Sequence, residues 1–246
     1  KLDESLSEAH ASLANALVLN LQYSASLPEF QRAIELNPNY ATAHHWYGEA
    51  LQGEGRFDEG VAQLRRAQDL DPLSLVINCV LGSTLAVAGQ DDEAIEQLHK
   101  TIEMDPAFDL TYWFLGQAYE DKGQIAEAIA QYEKATQLSP DPAVLASLAR
   151  AYAISGKKEE ARQILDSLTI KSRQSYVSAY ALAVIYISLG DKENALRLLE
   201  QSYEDGAAFD TGVFGSIKMD RRLAPLQGDP RFEKLIERIF SAKPKE

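Results

Sequence analysis

The sequence predicts an all-α solenoid of six stacked helix pairs closed by a carboxy-terminal helix, and two residue types carry that prediction independently. Prolines fall at Pro38, Pro72, Pro106 and Pro140, each 34 residues after the one before. Glycines keep the same step at Gly48, Gly82 and Gly116, and again at Gly55, Gly89 and Gly123, with Gly156 and Gly190 continuing at steps of 33 and 34. A period of this length marks a repeat whose unit is one supersecondary element, able to bury its apolar faces only against its neighbours.

The units begin near residues 7, 41, 75, 109, 142 and 176 and run to 208. Each holds two amphipathic stretches of about a dozen residues, the length of paired helices. In the fourth unit Tyr112, Leu115 and Tyr119 recur at helical spacing before Gly123, which suits a left-handed residue ending helix A. Ile125, Ala128, Ile129 and Tyr132 restart the pattern on helix B, and Pro140 marks the turn to the next unit. Small residues at Ala14, Gly48, Gly82, Gly116, Ala149 and Ala183 let helix A approach its neighbour closely. A second small position at Ser26, Gly60, Ala94, Ala128, Ala161 and Ala195 does the same for helix B, while Phe30, Leu64, Leu98, Tyr132, Leu165 and Leu199 fill the space between. Units five and six lack the terminal proline, so Ser167 to Ser175 reads as a longer polar connection, and Leu21 in place of a glycine predicts a less regular first hairpin.

The ends differ from the body. Residues 1–6 align with the tail of a helix B, so the chain is expected to be cut from a longer protein. The period breaks at Gly206 to Thr211, and residues 209–246 read as a loop leading to a capping helix. Asp229 is a good N-cap and Pro230 a good first helical residue for a helix through Phe232, Leu235, Ile236 and Ile239.

In unit four, Tyr112, Leu115-Gly116, Tyr119, Gly123, Ala128, Tyr132, Ala135 and Pro140 stand at the offsets of the tetratricopeptide repeat family, which residues 7–208 resemble. The resemblance implies a right-handed α-α superhelix, a non-catalytic role holding a peptide or partner domain in a concave groove, and no cofactor. The ending from Asp220 to Phe232 also resembles tetratricopeptide regions of bacterial multidomain regulators. That implies an amino-terminal effector of the same polypeptide, such as a winged-helix DNA-binding domain, a nucleotidyl cyclase or a Ser/Thr kinase. Family groove positions map onto Asn15, His45, Glu49, Cys79, Ser83, Trp113, Gln117, Glu120, Arg150, Tyr180 and Val184. Basic residues are nearly absent from this set, which argues against the carboxylate clamp of chaperone-binding members, and the asparagine ladder of glycosyltransferase members is missing too. An apolar-aromatic strip with scattered polar groups suits an amphipathic or extended peptide. The alternative reading is self-assembly into a homo-oligomer through exposed solenoid ends.

Composition narrows the function classes. With 24 Lys+Arg against 37 Asp+Glu, the net charge of −13 repels phosphate backbones and anionic lipid, so neither nucleic acid nor a membrane is an expected partner. No apolar run of about 18 residues occurs, which points to a cytoplasmic location, or a periplasmic one if a membrane segment precedes this portion. Cys79 is the single cysteine and forms no internal disulfide. Gly53-Glu54-Gly55 lacks phosphate-loop spacing. His44 and His45 point about 100° apart on a helix and cannot share a metal ion, with His44 expected inside its pair and His45 on the inner face. Asp91-Asp92-Glu93 opens a helix, where negative charge is favoured. No catalytic or metal-binding constellation emerges, and an enzyme is not expected.

Overall fold

The structure is a computed structural model describing residues 6–20, 22–204 and 220–241, and among these every regular element is helical. The chain divides into two compact units, Lys1–Gln124 and Ile125–Glu246. Leu21, residues 1–5 and the Gly206 to Thr211 break lie outside the described residues.

In the first unit α1 (Ser7–Leu19) pairs with α2 (Tyr23–Leu36), α3 (Ala41–Gly53) with α4 (Phe57–Leu70), and α5 (Leu75–Val87) with α6 (Asp91–Met104), while α7 (Asp109–Asp121) packs on α5 and α6. The A helices also touch in sequence, α1 on α3, α3 on α5 and α5 on α7. Local chemistry sets each turn. Gly123 has φ 74°, a conformation costly for a residue with a Cβ, and it lets the Gln124 N–H donate to the Tyr119 carbonyl at 2.8 Å. The same bond runs from Arg56 to Leu51 and from Gln90 to Leu85, both 2.9 Å. It also closes the first pair, from Gln22 to Leu17 at 2.9 Å, so the hairpin expected to be less regular ends on the same bond. Between pairs, Asn37 and Asp105 accept from the backbone of Asn39 and Ala107 at 3.1 and 2.8 Å, bridging the prolines that cannot donate.

Close approach explains the small positions. A Cβ on Gly48 would lie 2.7 Å from Leu64 Cγ and 3.0 Å from the Gly60 carbonyl oxygen, and one on Gly82 would lie 2.6 Å from Leu98 Cγ. Leu64 and Leu98 are fully buried beneath them.

The second unit contains α8 (Ile125–Leu138), α9 (Pro142–Ile154) paired with α10 (Lys158–Lys171), α11 (Ala179–Ser188) paired with α12 (Lys192–Glu204), a 3-10 turn at Arg221–Leu226, and α13 (Pro230–Ser241). Two boundaries differ from the sequence reading. Helix α10 continues through most of the stretch expected to be a loop, because Leu168 is buried, the Thr169 hydroxyl bonds the Leu165 carbonyl at 2.8 Å, and no proline interrupts. The sixth A helix starts at Ala179, after an exposed Tyr176 and a buried Val177, instead of near 176. The cap forms as expected: Asp229 Oδ1 accepts from the Arg231 N–H at 2.9 Å, and Phe232, Leu235 and Ile236 join a buried cluster with Leu196 and Leu199.

Candidate functional site

Two rows of predicted positions recur every 34 residues on the A helices of the first unit. His45, Cys79 and Trp113 form one row, and Asn15, Glu49, Ser83 and Gln117 the other. Each row takes one residue per helix, and because successive A helices pack together its members are neighbours on one face.

The first row is a floor. His45, Cys79 and Trp113 are buried, Trp113 stacking on Phe114 with ring centroids 5.3 Å apart. Burial pushes the Cys79 thiol up to about 12, against the opposing pull of the Thr111 hydroxyl, so it stays protonated and unreactive. In the second row Ser83 is buried, whereas Asn15, Glu49 and Gln117, with Glu120 one turn further along α7, stay partly exposed.

Glu49 is the chemically unusual member. Its carboxylate lies 3.7 Å from His45 Nε2, too far for a hydrogen bond, and the two side chains are 17% and 11% exposed. Burial pushes the Glu49 carboxyl up to about 7 and the His45 imidazole down to about 4, each favouring its neutral form. His45 Nε2, Gln52 Nε2 and Gln117 Nε2 are buried with no hydrogen-bond partner among the described residues. The other end of Gln52 accepts from Thr84 Oγ1 at 2.7 Å, tying α3 to α5.

Tyr23 stands beside Glu49 and was not legible as a site residue. Tyr23 comes from α2, and its hydroxyl pKa is raised by burial first and then by Glu49 and Glu54. Its ring covers Gly53 so closely that a Cβ there would lie 2.6 Å away. The available signal was Gly53 itself, a glycine where the equivalent A helices carry Leu19, Val87 and Asp121. His44 packs within its pair as expected, bonded to Gln63 at 2.7 Å and to the Pro38 carbonyl at 3.1 Å.

The three predicted positions of the second unit have different surroundings. Tyr180 and Val184, expected to line an open groove, sit in the core with Leu223, Leu226 and Phe232, because the carboxy-terminal segment packs over α11. The Tyr180 hydroxyl donates to the Asp220 carboxylate, which also accepts from Arg222 Nε at 2.9 Å and Nη2 at 3.0 Å. The Arg222 guanidinium lies 5.4 Å from the centre of the Tyr180 ring. Arg150 stands beside this network, its pKa lowered to about 10 by burial and then by Arg222. Among the described residues no group of three or more His, Cys, Asp or Glu could hold a metal ion, and no helix is long and apolar enough to cross a membrane.

Helix pairs on a 34-residue clock, closed by glycine turns and packed through paired small residues, define an α-helical repeat protein. Family comparison gives the type: tetratricopeptide repeat models match residues 120–179 and 178–205, so this part of the chain carries tetratricopeptide repeats. A model described as regulator of microtubule dynamics protein 1-3 matches residues 28–141. None of the curated proteins matches the sequence. Among solved structures, the type IV pilus biogenesis factor PilW is 19% identical with a TM-score of 0.63, covering 89% of this chain and 97% of its own. Pseudomonas aeruginosa pilF is 19% identical with a TM-score of 0.59, covering 82% and 92%. The chain in the APC/C hetero-tetramer Cut9-Hcn1 is 17% identical with a TM-score of 0.66, covering 96% of this chain and 43% of its own. These likenesses show the fold.

Proposed function

We propose that the chain is a non-catalytic protein-interaction scaffold that holds a peptide or a partner domain on the A-helix face of its first unit. The observation that carries this reading is the set of buried polar groups on that face: His45 Nε2 and Gln117 Nε2 lack hydrogen-bond partners among the described residues, and the Glu49 carboxyl, 3.7 Å from His45, keeps an exposed edge. A buried polar group without a partner costs about 1–3 kcal/mol, and a bound main chain or side chain recovers part of that. The partner in this reading is a separate polypeptide or an effector domain of the same regulatory chain, as the likeness of the Asp220 to Phe232 ending to bacterial regulators suggests. The Cut9-Hcn1 hetero-tetramer offers an analogy of this fold assembled with a second polypeptide.

The test places a photo-crosslinking amino acid at Asn15 or Gln117 on the A-helix face, and at the exposed Glu96 or Lys100 on α6, in cells producing the protein. Adducts to one defined polypeptide from the A-helix positions alone support the reading. Adducts only to a second copy of the chain assign the face to self-assembly, and equal yields from both surfaces overturn a role for the A-helix face.

A further inference from the structure

The net charge of the chain is unevenly distributed. Residues 1–124 contain 7 Lys+Arg and 20 Asp+Glu, a net −13, whereas residues 125–246 contain 17 of each and balance. Within the first unit the A helices α1, α3, α5 and α7 carry Glu8, Glu49, Asp109, Glu120 and Asp121 and not one Lys or Arg, whereas the B helices α2, α4 and α6 carry ten carboxylates alongside Arg32, Arg65, Arg66 and Lys100, so carboxylates outnumber cations on both sets. An acidic field of this kind raises the local concentration of cations and steers basic partners toward the first unit.

Glu49 gives that field a point of contact. Among the described residues it accepts no hydrogen bond, and its nearest cationic candidate, His45, is held neutral at 3.7 Å. Burial strips water from the carboxyl without supplying a donor in exchange, an arrangement that an incoming cation completes with a charge-assisted hydrogen bond. Tyr23, lying over Gly53, walls one side and His45 stands 3.7 Å away on the same helix, leaving the exposed edge of Glu49 as the way in. Resting on the docking reading above and deepening it, we propose that the partner presents a basic segment whose Lys or Arg side chain inserts against the Glu49 carboxyl.

Binding is coupled to protonation. A cation beside Glu49 favours its ionised form, so docking releases a proton, and affinity rises between about pH 6 and pH 8. Of the titratable groups beside Glu49, His45 on its own helix and Tyr23 on α2 are neutral throughout that range, as is Cys79, buried on α5 in the row that holds His45. Glu54, at the rim, accepts from Ser24 Oγ at 2.8 Å, and α1 contributes the amide of Asn15 at the equivalent position.

The experiment is selection from a displayed random-peptide library against the whole chain and against Glu49→Gln. Selected peptides are expected to share a Lys or Arg at one fixed position, to bind wild type about tenfold more tightly than citrulline- or norleucine-substituted versions, and to lose that margin on Glu49→Gln, whose fold is checked by circular dichroism. Peptides with no basic preference, a preference that persists in Glu49→Gln, or the absence of any enriched peptide each overturn the proposal. The crosslinking experiment reports separately: adducts confined to the A-helix face, with no basic preference in selected peptides, retain the scaffold and remove the role of Glu49.

Discussion

Replacing Glu49 by Gln isolates the cost of holding a carboxyl in this site. Its pKa rises from 4.5 to about 7, so the native chain holds a proton that the unfolded chain releases between those values. Below about pH 4.5 both states are protonated and the site costs nothing; through the window the unfolded state is progressively favoured, and above about pH 7 the full penalty of about 3 kcal/mol applies. Glu49→Gln keeps the shape without the ionisation. The variant is therefore expected to match wild type near pH 4.5 and to exceed it by about 3 kcal/mol at pH 8. Urea unfolding at a series of pH values, followed by tryptophan fluorescence at Trp46 on the same helix, reads the difference as a midpoint shift. Repeat arrays do not always unfold in one step, so hydrogen exchange of the α3 amides supplies a local measure. A stability difference that stays constant from pH 5 to pH 8 refutes the claim that burial desolvates this carboxyl.

Further outcomes follow from other contacts. Gly48→Val drives a branched side chain into Leu64 and the Gly60 carbonyl and is expected to lower stability by about 2 kcal/mol or more, read from the urea midpoint, whereas an unchanged midpoint removes the close-packing argument. Tyr180→Phe deletes the hydroxyl that bonds Asp220 and costs about 1–2 kcal/mol, seen as faster hydrogen exchange in the 3-10 turn and α13. Gly123→Ala strains a residue at φ 74° and costs about 1 kcal/mol, seen as faster exchange of the Gln124 amide.

Much of this fold is legible from local rules, because its punctuation is local. Pro38 to Pro140 cannot donate within a helix, Gly123 accepts a left-handed backbone, and the Asp229-Pro230 pair starts a helix wherever it stands. What escapes the sequence depends on contacts between segments distant in the chain. Tyr180 and Val184 occupy groove positions by the repeat frame, yet residues 40 or more positions away cover them, and periodicity carries no information on which face a cap protects. Glu49 and His45 stand at groove positions by the same frame, and only the packed helices, with Tyr23 from α2 lying over Gly53 beside Glu49, strip most of the water from them. The late start of α11 has a similar origin: Val177 is drawn into the core before the helix begins.

The central claim is that the A-helix face of the first unit is the surface that holds a partner. Amide chemical-shift mapping of a library-selected peptide on the isotope-labelled chain tests it most directly. Shifts are expected to concentrate on α3, α5 and α7 around Glu49, Ser83 and Gln117, with α4 and α6 unmoved. Shifts concentrated on α4 and α6, or confined to the second unit, contradict it.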